Sequence, residues 1–245
     1  MERPGGIHED DPLGGDFVTP EHAALIDGEP LPTARVNAFL EAPYRGAGLH
    51  QFAAPPRGAT SHDGPAPARR QMEPPSVARQ RRRWATQVIV TDELARRACA
   101  ARGLKVPEEL SPAKALTLAE SDVADLGSIV AAALAHSPAA RTLLAALESE
   151  QTVPETAVRD YYDRNQDRFL TPDALRRGVT PFDGAAPEDV RPYEEVREAI
   201  SRELQRAAGH QAFFGWLDQA RADVTYSHGH EHPGDPSHPD HEHRH

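Results

Sequence analysis

Apolar positions recur at three- and four-residue steps over six stretches of this chain, and each such stretch predicts a helix. Val36, Phe39 and Leu40 form one face of a helix over Thr33 to Ala42, which Pro43 stops. From Arg79 onward Trp84, Val88, Thr91, Leu94 or Ala95, and Ala98 keep the same period, and Arg102-Gly103 supplies a basic last turn with a glycine stop. Ser121 can cap a helix holding Val123, Leu126, Ile129, Val130 and Leu134. Ser137-Pro138 ends that helix and opens the next, which runs to about Glu150 through Leu143, Leu144 and Leu147. Thr152-Val153-Pro154-Glu155 reads as a capping box ahead of a helix with Val158, Tyr161 and Tyr162. The longest stripe starts at Pro192 and passes through Tyr193, Val196, Ile200, Leu204, Ala207 or Ala208, Phe214 and Leu217. Thirty such residues span roughly 45 Å, and Gly209 and Gly215 are expected to bend or weaken the helix.

Two short segments have strand character. Ala23 to Ile26 is an apolar run followed by a reversal at Asp27-Gly28, and Ala222 to Tyr226 can close a sheet near the other end. The longest apolar run, Ile129 to Ala135, falls far short of the roughly 20 residues a membrane span needs. No membrane span is expected.

Composition sets aside parts of the 245 residues from the packed body. Twenty-three prolines and 17 glycines stand beside a hydrophobic share of 38%. Residues 1–22 read as a disordered acidic leader without the basic and apolar regions of a secretory signal, so the expected setting is cytoplasmic. Residues 42–78 carry seven prolines and four glycines and read as a flexible insertion, because they offer little apolar surface against the entropy of ordering. A formal net charge of −11 argues against generic nucleic-acid binding, which needs a clustered basic excess. The local exception is Arg79, Arg81, Arg82 and Arg83, read as a solvated face, with an acidic partner surface as the alternative.

The sequence holds no Gly-rich phosphate loop, no H-E-x-x-H and no G-x-S-x-G. The single cysteine, Cys99, excludes an intramolecular disulfide and fits a reducing compartment. Arg96, Arg97 and Arg102 near it could lower its pKa, but an inert thiol is the expected state. Asp160 and Asp163 are expected to be exposed carboxylates.

Residues 227–245 form a His- and Pro-rich tail, expected to be disordered and to make no core contacts. His228-x-His230-x-His232 and His241-x-His243-x-His245, with His238 between them, are candidate ligands for Zn or Ni. In an extended chain alternate side chains fall on one side, so each triplet can present three rings together. Such a tract binds loosely, and no cofactor is required by anything else in the sequence. His8, His22, His50, His62, His136 and His210 are scattered and read as incidental.

The order of these segments resembles the SurA and PrsA type of foldase, which carries parvulin-like peptidyl-prolyl isomerase domains. The resemblance rests on "LIDGEPLPTARVNAFL", "RRWATQVIVTDELARRACAARGL", "VPETAVRDYYDRNQDRFLTP" and "PYEEVREAISRELQRAAGHQAFFGWLDQARADVTY", and covers residues 23–41, 79–172 and 192–226. It implies one mostly α, SurA-N-like helical chaperone module over residues 23–226, with a short strand pair joining its two ends, Ala24 to Ile26 beside Val224 to Tyr226. It also implies binding of non-native polypeptide by a cleft of apolar and aromatic groups. Candidates are Trp84, Tyr161, Tyr162, Phe169, Phe213, Phe214 and Trp216, although aromatic residues at helical spacing more often belong to a core. Phe213, Phe214, Trp216 and Leu217 wrap so much of their helix that one side is expected to lack a core, as a peptide site or a dimer interface.

The family places its isomerase between the "DRFLTP" segment and the last helix. Here that connection is Asp173 to Arg191, nineteen residues. An independent core needs at least about 50 residues, so no parvulin-type activity and no catalytic residues are expected. The reading is a chaperone-like protein without its isomerase domain. Its alternatives are a metal-handling protein acting through the tail and a structural interaction protein that dimerises through the last helix.

Overall fold

The computed structural model describes residues 21–42, 74–108, 128–180 and 186–232. They form β1 (His22–Ile26), β2 (Glu29–Pro32), α1 (Thr33–Glu41), α2 (Pro75–Ala101), α3 (Ser128–His136), α4 (Pro138–Ser149), α5 (Glu155–Arg164), α6 (Pro172–Arg177), α7 (Tyr193–Arg221) and β3 (Thr225–Tyr226). The chain is mostly helical with a small antiparallel sheet. Of the regions expected to be flexible, residues 1–20, 43–73 and 233–245 lie outside the described residues, as do Ser121, Val123 and Leu126.

Helix α2 occupies the centre. Its residues from Ala85 to Asp92 are all buried, more than two full turns, so the helix is enclosed on every side there. Helices α1, α3, α4 and α7 and strand β1 pack around it. The sequence explains why this segment tolerates enclosure: no charged residue lies between Arg83 and Asp92. The helix starts at Pro75, four residues earlier than periodicity predicts, and so takes in the last residues of the stretch expected to be flexible. Proline suits that first position because the N–H it lacks has no partner within the helix. The earlier start puts Arg79 beyond the first turn, where the macrodipole opposes a cation less.

The sheet has the order β2-β1-β3. Asp27 at φ 54° and Gly28 at φ 78° make the two-residue turn of a hairpin that pairs Ile26 with Glu29 and Leu25 with Pro30. On the other side of β1, Ala24 faces Tyr226 and Leu25 faces Thr225. The two distant ends are therefore joined as expected, with β2 as a third strand. Strand β1 begins at His22, inside the range read as leader.

A main apolar cluster gathers residues from β1, β2 and α1 to α4 with Phe213 and Leu217 of α7. A second, smaller cluster is built on Val158 of α5 and Val196 and Ile200 of α7. Helix α7 links the two. It continues through both Gly209 and Gly215 without interruption. Local capping is as predicted at Ser137, whose Oγ accepts from the Ala140 N–H at 3.0 Å. It differs at Thr152: α5 begins after Pro154 with no side-chain cap. Glu155 is instead drawn to α7, where its carboxylate accepts from Arg197 Nε at 2.8 Å and Nη2 at 2.7 Å, and from the Tyr193 hydroxyl.

The 173–191 connection folds back on itself. Helix α6 ends at Gly178 in the left-handed region, and a 3₁₀ turn covers Pro187–Asp189. Leu170 and Val190 form an antiparallel bridge. The Thr171 N–H donates to Asp189 O at 2.8 Å and the Arg191 N–H to Phe169 O at 2.8 Å, which pins the two ends together. Among the described residues no single helix is long and apolar enough to cross a membrane.

Candidate functional site

The enclosed part of α2 carries four polar residues, Thr86, Gln87, Thr91 and Asp92, and burial obliges each to find partners. The Thr91 hydroxyl donates to Gln87 O one turn back, at 2.8 Å. Asp92 Oδ2 accepts from Arg35 Nη2 of α1 at 3.0 Å and from Arg96 Nε at 2.9 Å. Gln87 Oε1 accepts from the Tyr226 hydroxyl at 3.0 Å. Thr86 takes its partner from beyond the last strand. Its hydroxyl donates to Arg82 O at 2.9 Å, and the same oxygen lies 2.8 Å from His230 Nδ1. Because that hydroxyl proton is already used, Nδ1 carries the hydrogen and donates to Thr86.

A compact turn delivers His230 to α2. The Ser227 N–H donates to Ala23 O at 3.0 Å, extending the β1–β3 contact by one residue. The His230 N–H then returns to Ser227 O at 3.0 Å, with Gly229 between them at φ 84°. Gly229 N–H donates to Glu231 Oε1 at 2.9 Å, and Arg83 Nε lies 3.6 Å from Glu231 Oε2. His230 is 0% exposed. Burial pushes its pKa down to about 4, with the neighbouring Arg82 charge adding to the effect and Glu231 opposing it. The ring is neutral near pH 7.

This corrects the expectation that everything beyond Tyr226 is a tail without core contacts. Residues 227–232 are part of the fold, and the first histidine triplet is divided by it: His230 points into the body while His228 is exposed and His232 half-buried. Among the described residues no three His, Cys, Asp or Glu side chains converge on a common point for a metal ion. His238, His241, His243 and His245 lie outside the described residues. Reading HGHEHPG by itself hides His230, since it holds nothing apolar. The signal was in α2: a charge-free stretch with Thr86 and Gln87 at its centre requires a polar group from elsewhere.

The aromatic candidates fall into two groups rather than one cleft. Trp84, Phe213, Phe214 and Trp216 belong with the main cluster. Trp84 is half-buried with its ring 5.7 Å from Phe39, and Phe213 is fully buried with its ring 5.2 Å from Trp216. Phe213 and Leu217 thus face the core, and Phe214 and Trp216 pack against it half-buried, so α7 has no bare apolar side at this point. The main cluster receives the arc of α7 that carries these residues, and the opposite arc, Gln211, Gly215, Asp218 and Gln219, is exposed.

Tyr161, Tyr162 and Phe169 instead surround the second cluster, together with Tyr193, which spacing had assigned only to the α7 stripe. All four are half-buried. Tyr162 stacks on Phe169 at 5.3 Å and meets Tyr193 edge-on at 5.5 Å. Arg159 lies over the Tyr193 ring at 4.7 Å and Arg168 over Tyr161 at 5.6 Å. The hydroxyls point outward to fixed acceptors: Tyr161 to Glu203 at 2.9 Å and Tyr162 to Arg191 O at 2.7 Å. Beside this group a hollow of about 200 Å³ is lined by Glu155, Arg197, Glu198, Ser201 and Arg202. The result is an amphipathic face, aromatic in the middle and charged at the margin, set apart from the main core.

Cys99 is buried and its Sγ donates to Ala139 O at 3.4 Å. Burial pushes its thiol pKa up and outweighs the lowering effect of Arg102. Asp160 and Asp163 are exposed and pair within α5 with Arg164 and Arg159. His136 packs edge-on to Phe39 at 4.9 Å and His210 lies 3.7 Å from Glu148, so both have structural surroundings.

No family model, no curated protein and no solved structure matches this chain. The functional reading therefore rests on the residues themselves.

Proposed function

We propose that the chain is a foldase-related, chaperone-like module that binds non-native or extended polypeptide and has no functional prolyl isomerase domain. The observation that supports this most is the half-buried group of Tyr161, Tyr162, Phe169 and Tyr193, which stands outside the main core with arginines at its margin. Aromatic rings flanked by polar groups bind varied extended segments, because ring faces accept apolar side chains and the margin serves the peptide backbone. The likeness of the segment order to SurA and PrsA supports the same reading. So does the pairing of β1 with β3, since the two ends of a module interrupted by insertions need to be fastened. The 173–191 connection is too short to form its own core.

The test is suppression of aggregation of a chemically denatured client by the full chain and by a Tyr162→Ala, Phe169→Ala variant. The full chain should suppress aggregation, and the variant should lose most of that effect at unchanged helix content. No suppression by the full chain refutes the proposal. A proline-peptide assay should give no turnover above background, and robust turnover by the pure protein refutes the second half of the claim.

A second reading is metal handling through the histidine tail. It is favoured by the exposure of His228 and the partial exposure of His232. Dimerisation through α7 has less to work with, because Phe213 and Leu217 are buried in their own chain.

A further inference from the structure

We propose that His230 is shared between two mutually exclusive roles, a latch on α2 and the middle ligand of a Zn²⁺- or Ni²⁺-binding triplet, so that metal binding and release of residues 227–232 from the body are coupled. The inference deepens the metal-handling reading and rests on it.

The geometry excludes both roles at once. Alternate side chains fall on one side of an extended segment, so adjacent imidazoles of the triplet can share one cation there and a gentle bend brings in the third. In the docked state the segment is not extended. The turn closed by His230 N–H to Ser227 O, with Gly229 at φ 84°, sends His228 outward and His230 inward. Of the two His230 nitrogens, Nδ1 is on Thr86 Oγ1, and Nε2 is buried without a hydrogen-bond partner among the described residues. Neither is open to a cation. To complete the triplet the ring must leave α2, which takes the Thr86 and Glu231 contacts with it. A ligand that binds the released state better than the docked state draws the equilibrium toward release. By the reciprocity of linkage, anything that weakens docking tightens the metal by the same factor.

Two substitutions weaken docking without touching a ligand. Gly229→Ala places a side chain in the left-handed region, where nothing lies within 4 Å of the added Cβ, so the strain belongs to the docked turn alone. Thr86→Val removes the acceptor for His230 at nearly constant volume. A third, His228→Ala, removes an exposed ligand that has no part in the latch.

The experiment is calorimetric titration of ZnCl₂ into the full chain and each variant at pH 7.5, with circular dichroism to establish folding and thermal melts with and without Zn²⁺. Gly229→Ala should bind Zn²⁺ roughly fivefold or more tightly than the unaltered chain, the size set by the left-handed penalty. Thr86→Val should move in the same direction and His228→Ala in the opposite one. Zn²⁺ should lower the melting temperature of the unaltered chain, because the unfolded chain offers the triplet without undocking. Equal Zn²⁺ affinity in all four proteins places the ligands beyond the latch and overturns the coupling, while the metal reading stands. No Zn²⁺ binding by any of them overturns both. Should Thr86→Val fail to fold, Gly229→Ala and His228→Ala decide the matter.

Discussion

Gly209 of α7 approaches Glu148 of α4 so closely that a Cβ built on it would lie 2.8 Å from the Glu148 Cα and would overlap its Cγ. One turn earlier on α7, Gln205 Nε2 donates to Glu148 O at 3.1 Å. The glycine is thus the point where the two helix backbones cross. Gly215, further along the same helix, has nothing within 4 Å of such a Cβ. The two positions should respond with opposite sign. Gly209→Ala forces the helices apart and should cost about 1–3 kcal/mol. Gly215→Ala should stabilise by about 0.5–1 kcal/mol through reduced chain entropy. Urea unfolding of both variants checks this, and equal stabilities would contradict the crossing.

The closing strand and the residues after it support α2 as much as they support the sheet. Truncation after Asp218 removes Tyr226 and His230, the partners of Gln87 and Thr86. Each buried polar group left without a partner costs about 1–3 kcal/mol. The truncated chain should therefore lose melting temperature throughout the body rather than fray at one end. The milder Tyr226→Phe, which deletes one hydroxyl, should cost about 1 kcal/mol. Full retention of the melting temperature after truncation would sink the role assigned to this segment.

How much of this could be read from the chain depended on whether the physics was local. Ser137-Pro138 punctuates two helices because a cap and a first-turn proline act within a few residues, and Asp27-Gly28 makes its turn for the same reason. The α7 stripe and the strand character of both ends were equally legible. Thr152-Val153-Pro154-Glu155 was misleading because Glu155 has a stronger partner on α7 than a cap could offer. Tyr193 as a member of the aromatic group, and His230 as a buried residue, depend on contacts across 31 to 144 positions of sequence, which no spacing rule contains. Gly209 looked like a helix weakener by propensity, and its reason lies entirely in another helix.

Cys99 should behave as a silent thiol. It is buried, donates to Ala139 O, and its pKa is raised by that burial. Thiolate is the reactive form, so both access and ionisation work against modification. A colorimetric disulfide reagent at pH 8 should label it only at the rate of unfolding, with full labelling in denaturant. Fast labelling of the native chain would mean that α2 and α4 do not enclose it.

The pairing of α5 with α7 has a charge signature of its own. Hydrogen bonds from Arg197, then from Tyr193, hold the Glu155 carboxyl down at about 2, with burial opposing them and the Arg197 and Arg159 charges assisting. A carboxylate whose folded-state pKa is depressed contributes stability above its ordinary value near 4.5, and that contribution fades as pH falls from there toward 2. Because Glu155 is exposed, the expected sign is clear while the energy is small. Carboxyl ¹³C NMR should therefore find Glu155 titrating well below the ordinary glutamate value near 4.5. Arg197→Gln removes the bidentate partner and should return the midpoint most of the way to the ordinary value. It should also loosen Tyr193, whose hydroxyl donates to the same carboxylate, and raise the solvent exposure of the Tyr162 and Phe169 rings beside it. A midpoint near 4.5 in the unaltered chain would show that the ion pair does not form in solution, and would remove the charged margin of the aromatic face with it.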